Sequence, residues 1–323
     1  MRIVIYGAGA IGGVLGARLF ENGREVVLIA RGPHYEAIRH HGLRVQTPEG
    51  DTVVDVPVVD SPSALVWGAD DIVVLGMKTQ DTVEALAALE EAGADGVPVV
   101  CAQNGVESER MALRTSADVY GICVMCPAAH LQPGVVQAYS LPCPGILDVG
   151  RYPGGSDALA DELAAAFRAA TFEAEARPDI MRWKYTKLLM NLGNALEALS
   201  GRSARAGEIA GRARAEGIAV LRAAGIDFVS DDGFVERRAD LIRLQAIGGS
   251  HRPGASSWQS LERGTGRIEA DYLNGEIALL GRLHGVPTPA NTLLQRAAND
   301  AARHHRPPGS VSADELAAAL GPS

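Results

Sequence analysis

Short runs of β-branched and apolar residues alternate with amphipathic segments along the first half of the chain. The runs predict strands at 2–6, 25–30, 43–46, 53–58, 72–76, 97–101 and 118–123. The segments between them predict helices at 10–22, 34–41, 79–91 and 105–114. Strands that alternate with helices in this way form a parallel sheet with helices on its faces. The first half is therefore predicted to be an α/β domain.

The pattern changes in the second half of the chain. Prolines and glycines punctuate 124–150, which predicts hairpins added to the sheet. From Pro178 onward apolar positions recur with the helical period, and this predicts helices near 179–200, 204–224, 231–247, 256–263, 266–284 and 289–305. Gly225 and Gly285 mark helix ends, and Ser312 is a candidate N-cap for a short terminal helix. We predict two domains, 1–177 and 178–323, the second all-α.

Composition and charge mainly exclude several classes of protein. The 323 residues are 47% hydrophobic and 21% charged, which is typical of a folded globular protein. The net charge is -9 without a dense Lys/Arg block, so we expect no nucleic-acid partner. The chain starts within a predicted strand, which leaves no room for a signal peptide, and no apolar run approaches the roughly 20 residues of a membrane helix. We expect a cytoplasmic protein.

The cysteines support the same location. Four of them, too few and too bunched for a disulfide-stapled secreted scaffold, stand at 101, 123, 126 and 143. Cys123 and Cys126 form one C-x-x-C motif with His130 and Cys143 nearby, so a zinc or redox site is conceivable. Because no second matched pair is present, we expect no metal.

A glycine-rich turn follows the first predicted strand and opens the first predicted helix: Gly7-Ala8-Gly9-Ala10-Ile11-Gly12. In this context G-x-G-x-x-G is a dinucleotide-binding fingerprint. The first glycine permits the tight turn, the second lets a pyrophosphate approach the backbone, and the third lets the helix pack on the strand. The alternative is that the glycines serve only the turn. The fingerprint predicts an α/β Rossmann-like N-terminal domain plus an all-α C-terminal domain.

Three further residues at predicted strand ends are candidate cofactor ligands. Dinucleotide folds that select NAD carry Asp or Glu at the end of the second strand, whereas Arg accommodates a 2′-phosphate. Here Arg31 stands at that place, which predicts NADP(H), unless it is a solvated arginine at a strand end. Lys78 and Asn104 also follow strands of the sheet, and ligands of open parallel sheets bind at that edge.

Polar residues recur on two predicted helices of the second half. Lys187, Asn191 and Asn194 are spaced i, i+4 and i+7, so a continuous helix would place them on one face. A second polar cluster includes Ser257 and Glu269. From spacing alone, a solvated stripe is the favoured interpretation of the first cluster, and a charged helix surface is the default interpretation of the second.

Taken together, these segments resemble the ketopantoate reductase (2-dehydropantoate 2-reductase) family over nearly the whole chain. The resemblance includes the glycine-rich turn, Arg31, Lys78, Gln103-Asn104-Gly105, Lys187 with Asn191, Ser257, the block Glu269-Ala270-Asp271-Tyr272-Leu273-Asn274-Gly275, Gly285 and Pro289-Ala290-Asn291-Thr292. It implies a Rossmann domain that holds NADPH, a helical domain that closes over it, and reduction of 2-dehydropantoate to pantoate for pantothenate biosynthesis. It also leaves a homodimer open.

The resemblance implies a role for each site residue. Lys187 would be the catalytic lysine, and Glu269 an acid that binds the substrate and contacts the cofactor. Asn191 and Ser257 would bind the substrate, and Asn104 both cofactor and substrate. Chemically, an ammonium group at the carbonyl oxygen can stabilise the charge that hydride transfer leaves there and donate the proton, for which Lys184 is the next candidate.

One departure concerns the second asparagine of the family, which usually lies four residues after the first. Here residue 195 is Ala and the nearby amide is Asn194, and the neighbourhood Gly193-Asn194-Ala195-Leu196-Glu197 is unlike the usual apolar stretch. We predict that Asn194 lines the site and replaces that amide; the alternative is that it caps a local bend and faces solvent. Two other functions stay open, namely reduction of a different oxo acid in secondary metabolism and non-catalytic NADP(H) sensing.

Overall fold

The chain divides into two compact units. A computed structural model describes residues 1–321. The first unit comprises Met1–Lys184 and Asp231–Arg252, and the second comprises Tyr185–Ser230 and the chain from Pro253 onward. The expected single boundary after residue 177 therefore differs from the observed division, because the chain leaves the first unit at 184 and returns to it once.

The first unit is built on a seven-stranded sheet. Its strands are β1 (Arg2–Tyr6), β2 (Glu25–Ile29), β5 (Val58–Val59), β6 (Asp71–Leu75), β7 (Val99–Cys101), β8 (Val119–Met125) and β12 (Ile146–Arg151). Their order is β12-β8-β7-β6-β1-β2-β5, and all neighbours are parallel except β12 and β8. This confirms the α/β fold class. Because β1 lies between β2 and β6, the order of the strands reverses there, and such a reversal is where open sheets bind ligands.

Helices cover both faces of this sheet, as its uninterrupted apolar strands require. Along β1 the side chains alternate between two cores: Ile3 and Ile5 belong to one, Val4 and Tyr6 to the other. The helices of the first unit are α1 (Ala10–Glu21), α2 (Gly32–His41), α3 (Thr82–Glu91), α4 (Ser108–Ala112), α5 (Ala158–Ala169), α6 (Ile180–Asn191), which continues into the second unit, and α9 (Asp231–Arg238). Most predicted elements of the first half therefore exist with small changes in length. The strand expected at 53–58 is wrong, because one strand ends at Val54 in a smaller sheet and β5 begins at Val58 in the main sheet.

Two smaller sheets correct the expectation that 124–150 only adds hairpins to the main sheet. Only β12 joins that sheet. A four-stranded sheet with the order β4-β3-β10-β9 contains β3 (Leu43–Thr47), β4 (Gly50–Val54), β9 (Ala128–Ala129) and β10 (Val135–Ala138). The strand β11 (Ser140–Pro142) instead pairs with β13 (Ile242–Leu244).

The predicted helix at 231–247 is wrong in its second half. After α9 the chain makes a 3-10 turn at Ala239–Leu241 and then forms β13. The physical reason is tertiary: Arg237 donates two hydrogen bonds of 2.9 and 2.7 Å to the fully buried Asp148 on β12, which also accepts one from Arg177. This ion-pair network holds the returning segment in the first unit, where β11 offers a strand edge to β13.

The second unit is helical in the part of the chain that the structure describes. Its helices are α7 (Asn194–Ser200), α8 (Glu208–Ala223), α10 (Ser256–Glu262), α11 (Asn274–His284), α12 (Pro289–Arg303) and α13 (Ala313–Leu320), together with the end of α6. Gly225 and Gly285 have positive φ at helix ends, and Ser312 caps α13 by accepting a bond from the Asp314 amide, as predicted. No helix between residues 1 and 321 is long and apolar enough to cross a bilayer.

The predicted continuous helix at 179–200 is also wrong. The structure interrupts it: α6 ends at Asn191 and α7 begins at Asn194. Asn274 donates a 3.0 Å hydrogen bond to the carbonyl oxygen of Leu192, within the interruption, and a second bond to Asn291. Because helix ends leave carbonyl groups without partners inside the helix, such a donor stabilises the interruption.

Candidate active site

The glycine-rich turn connects β1 to α1 at the reversal of strand order. Gly7 has a φ of 100°, and a Cβ there would lie 2.5 Å from the backbone nitrogen of Met77. A Cβ on Gly12 would collide with the carbonyl oxygen of Gly7. A Cβ on Gly9 would meet nothing within 4 Å. The first and third glycines are thus required by the fold, whereas Gly9 leaves the backbone open at the N-terminus of α1, where a pyrophosphate fits.

A histidine that the sequence analysis missed supports this turn. The Nδ1 atom of His34 accepts a bond from the Gly134 amide, and Nε2 contacts the Ala8 carbonyl oxygen at 2.7 Å. Burial lowers the pKa of His34, which favours the neutral ring with its proton on Nε2. The turn is therefore held from both sides, by Met77 and by His34. No local pattern marked this residue, because its partners are distant backbone groups.

Arg31 lies directly after β2 and precedes α2, as predicted. Its guanidinium donates to the Tyr6 hydroxyl at 3.1 Å and pairs with Glu84 at 3.3 Å. The Arg31 and Glu84 side chains are 53% and 70% exposed. An exposed ion pair of this kind contributes little energy, so Glu84 does not prevent Arg31 from binding an anion.

Lys78 and Asn104 follow β6 and β7, and their two loops are joined. The Thr79 hydroxyl donates to the Asn104 carbonyl oxygen at 3.2 Å, and the Gln103 amide donates to the Thr82 hydroxyl at 2.8 Å. Lys78 and Asn104 are both half-buried. The structure thus brings the two predicted residues to the same edge of the sheet as the glycine-rich turn.

Lys184 is committed to a structural role and is not a second candidate for the general acid. Its side chain is 2% exposed, and its ammonium nitrogen lies 2.6 Å from Glu109 Oε1. It also donates to the carbonyl oxygens of Gln103 and Ile122, at 3.0 and 3.1 Å. One carboxylate and two backbone carbonyl groups thus hold the ammonium group inside the first unit. Burial raises the pKa of Glu109 and the Lys184 charge opposes that shift.

The second unit carries the predicted catalytic lysine and the predicted substrate residues other than Asn104. Lys187 is half-buried on α6, while Asn191 at the end of α6 and Asn194 at the start of α7 are each 4% exposed. The interruption invalidates the angles expected for one continuous helix, so spacing alone does not place Asn194 beside Lys187. Burial does exclude the solvent-facing alternative. The Oδ1 atom of Asn194 is buried and accepts no hydrogen bond from the described protein atoms.

Ser257 and Glu269 lie on neighbouring parts of the same unit. Ser257 is 3% exposed on α10, which packs against α7. Glu269, also 3% exposed, begins the 3-10 turn Glu269–Tyr272, which packs against α11 and α12. The solvated-surface interpretation is therefore wrong for these two side chains.

Cys123 and Cys126 of the C-x-x-C motif, and Cys143 near them, are free cysteines. Burial raises the pKa of the Cys126 thiol to about 12, which keeps it protonated at neutral pH. Cys143 donates from Sγ to the Leu241 carbonyl oxygen. Within the described chain, no group of three or more His, Cys, Asp or Glu side chains could hold a metal ion.

The fold and these residues define a class of protein: an oxidoreductase with a Rossmann-type nicotinamide-dinucleotide unit and a helical unit. The family model of ketopantoate reductase PanE/ApbA matches residues 3–154, and the model of the ketopantoate reductase PanE/ApbA C terminal matches residues 179–302. The chain belongs to the ketopantoate reductase family, whose members are NAD(P)-dependent oxidoreductases acting on small molecules.

Individual proteins are similar to this chain over nearly their whole lengths. The 2-dehydropantoate 2-reductase of Pyrococcus horikoshii is 30% identical, covering 91% of this chain and 95% of that protein. That of Halobacterium salinarum is 31% identical, covering 90% and 95%. A crystal structure of a PanE/ApbA family ketopantoate reductase from Ralstonia eutropha is 32% identical, with a TM-score of 0.77, covering 94% and 100%. D-mandelate dehydrogenase, solved with NADH and anilino(oxo)acetate, is 24% identical with a TM-score of 0.79 over 94% and 99%, and shows the shared fold.

A pair of glycine substitutions tests the structure of the turn. Gly9→Ala should weaken dinucleotide binding by about tenfold or more while the melting temperature changes little, because its Cβ enters only the open space. Gly12→Ala should lower the melting temperature by several degrees, because its Cβ collides with the Gly7 carbonyl oxygen. Thermal unfolding and dinucleotide titration of both variants provide the comparison. Equal dinucleotide affinity in Gly9→Ala and the natural protein would contradict a pyrophosphate site at the backbone of Gly9.

Proposed function

We propose that the protein reduces a small 2-oxo acid to the 2-hydroxy acid with NADPH, and that the acid is 2-dehydropantoate and the product pantoate. The observation that carries the proposal is the set of buried polar side chains in the helical unit. Asn191, Asn194, Ser257 and Glu269 are each 3% or 4% exposed, and Lys187 is half-buried. Within this set the Oδ1 atom of Asn194 accepts no hydrogen bond from the described protein atoms, and burying such a polar group costs free energy unless it finds a partner, which a polar substrate supplies. The full-length relatives named 2-dehydropantoate 2-reductase support the choice of acid.

The glycine-rich turn, Arg31, Lys78 and Asn104 are the residues that would hold the dinucleotide, and Glu269 is a further candidate contact. The residues fit, because Gly9 leaves an open backbone at the start of α1. When bound, the nicotinamide supplies a hydride for the carbonyl carbon. Arg31 would bind the 2′-phosphate, which favours NADPH over NADH.

Lys187 is the proposed general acid. Hydride transfer leaves negative charge on the former carbonyl oxygen, and an ammonium group within hydrogen-bond distance stabilises that charge and donates the proton. Glu269 would accept a hydrogen bond from a substrate hydroxyl. Asn191, Asn194 and Ser257 would donate hydrogen bonds to the carboxylate of the oxo acid. The Oδ1 atom of Asn194 can in turn accept a substrate hydroxyl, because no described group occupies it.

The proposed activity is tested by NADPH oxidation with 2-dehydropantoate and a panel of other oxo acids. An aryl 2-oxo acid belongs in the panel because D-mandelate dehydrogenase shares the fold. We expect the highest kcat/KM with 2-dehydropantoate. A clear preference for another acid would show that this other acid, and not 2-dehydropantoate, is the substrate. The absence of oxidation with every acid would leave NADP(H) sensing as the better explanation.

Homodimer formation and a cytoplasmic location stay predictions. Leu279 and Leu283 lie four residues apart on α11 and are 42% and 66% exposed. Because residues four apart share one helix face, these two leucines are a candidate contact for a second copy of the chain.

Arg31→Ala tests the choice of cofactor. Loss of a charge-assisted contact to the 2′-phosphate should weaken NADPH binding by roughly 10- to 150-fold, or about 1.5–3 kcal/mol. NADH binding should change little. Arg39→Ala, an exposed arginine at the other end of α2, is the matched control and should affect neither. Dissociation constants for both dinucleotides decide the matter, and an equal loss for both would refute the 2′-phosphate contact.

Lys187→Met tests the general acid. We expect kcat to fall by about two to four orders of magnitude while NADPH affinity stays within a few-fold, because the lost group acts on the reacting oxygen. Glu269→Gln should act more on the KM of the oxo acid. Steady-state kinetics and NADPH titration distinguish the two effects. Turnover of Lys187→Met at the natural rate would show that another group donates the proton.

Asn194→Ala tests whether the buried amide contacts substrate. We expect kcat/KM to fall by about 1–3 kcal/mol, or roughly 5- to 150-fold. The melting temperature should stay the same or rise slightly, since the substitution removes a buried oxygen that lacks a protein donor. A lower melting temperature with unchanged kinetics would instead assign Asn194 a structural role.

A further inference from the structure

Glu197 and Arg205 form an ion pair in the second unit that the proposed reaction does not use directly. The Glu197 side chain is 6% exposed, and its Oε2 atom accepts a 2.6 Å hydrogen bond from Arg205. Its other oxygen, Oε1, accepts a 3.0 Å bond from the Ala255 amide. The second terminal nitrogen of Arg205 donates to the Met190 carbonyl oxygen at 3.2 Å.

The pair connects two segments that carry proposed substrate ligands. Met190 immediately precedes Asn191 at the end of α6. Ala255 is the N-cap residue of α10, two residues before Ser257. A chain of three hydrogen bonds therefore runs from the Met190 carbonyl through Arg205 and Glu197 to the start of α10.

The charges of Glu197 and Arg205, and the space left by Gly193, explain why these hydrogen bonds form. A carboxylate as buried as that of Glu197 requires partners for both oxygens, and Arg205 and the Ala255 amide supply them. Met190 is one of the last four residues of α6, whose carbonyl groups lack partners inside the helix. A Cβ on Gly193 would lie 3.3 Å from Cγ of Arg205, so the arginine stem crosses the interruption where a side chain is missing.

We propose that Glu197 and Arg205 are positioning residues that set the separation of Asn191 and Ser257 and thereby the affinity for the oxo acid. The inference rests on the proposed function, because it assigns both ligands to one substrate. Glu197 and Arg205 themselves contact backbone and each other. A purely structural pair would change stability without a selective effect on the KM of the oxo acid.

The guanidinium and the carboxylate are each needed for their two simultaneous contacts. Arg205→Lys keeps the positive charge but replaces two separated donors by one ammonium group, which cannot reproduce both contacts. Glu197→Gln keeps one acceptor oxygen, and its amide nitrogen cannot accept the Ala255 N–H. Both variants retain most of the side-chain volume and are suited to separating positioning from packing.

The experiment compares Arg205→Lys, Arg205→Met, Glu197→Gln and the double variant Glu197→Gln/Arg205→Met in oxo-acid-dependent NADPH oxidation. The measurements are KM, kcat, the NADPH dissociation constant and the melting temperature. Arg306→Met is the matched control, because Arg306 forms an ion pair with Asp300 at 3.0 Å on the exposed surface of the same unit. We expect KM to rise about 10- to 100-fold in Arg205→Met and less in Arg205→Lys. NADPH affinity should stay within a few-fold, as it should in the control.

The double variant provides a second criterion. If Glu197 and Arg205 act together, the factor by which KM rises in the double variant should be smaller than the product of the factors in the two single variants. If Arg205→Lys and Glu197→Gln fold and keep the KM of the natural protein, this inference is overturned while the proposed function stands. An equal loss of oxo-acid and NADPH affinity would also overturn it. If the natural protein reduces none of the acids, the proposed function fails and this inference fails with it.

Discussion

The capture of backbone carbonyl groups at the interruption between α6 and α7 is the constraint on which the helical unit depends. Asn274 donates to the Leu192 carbonyl, and Arg205 donates to that of Met190. These donors come from elements distant in sequence, so the unit as a whole imposes the interruption. Asn194 consequently begins a new helix, and its buried amide oxygen is available to a ligand. Glu197, one turn later, reaches Arg205 and the start of α10.

Backbone geometry also shapes the dinucleotide unit. Gly7 and Gly76 bring two loops so close that a Cβ on either would meet backbone atoms of the other loop, at 2.5 and 2.7 Å. Gly9, by contrast, faces open space. The side chains of Arg31, Lys78 and Asn104 add charge and hydrogen bonds around this frame. The dinucleotide half therefore depends on close approach of backbones, and the proposed substrate half depends on buried polar side chains.

The first half of the fold could be predicted from the sequence because its strands are buried on both faces and bounded by turn residues. The second half was less predictable. Apolar residues continue across 188–196, so the pattern favoured one helix, and only Gly193 hinted at the interruption. The partners of Leu192 and Met190 lie at 274 and 205, beyond any local pattern. Likewise, β13 forms where β11 offers an edge, although its residues have a helical spacing. The neighbourhood 193–197 departed from the family pattern, but sequence alone identified neither a role for Glu197 nor its partners.

A crystal structure of the protein with NADP⁺ and pantoate would test the central claim most directly. The account predicts the pantoate 2-hydroxyl oxygen within hydrogen-bond distance of Lys187 Nζ, with the Asn194 amide on the same molecule and the α6–α7 interruption preserved. It also predicts the pyrophosphate against the backbone of Gly9. Pantoate bound away from Lys187, or an Asn194 amide that contacts only protein in the complex, would contradict the proposed site.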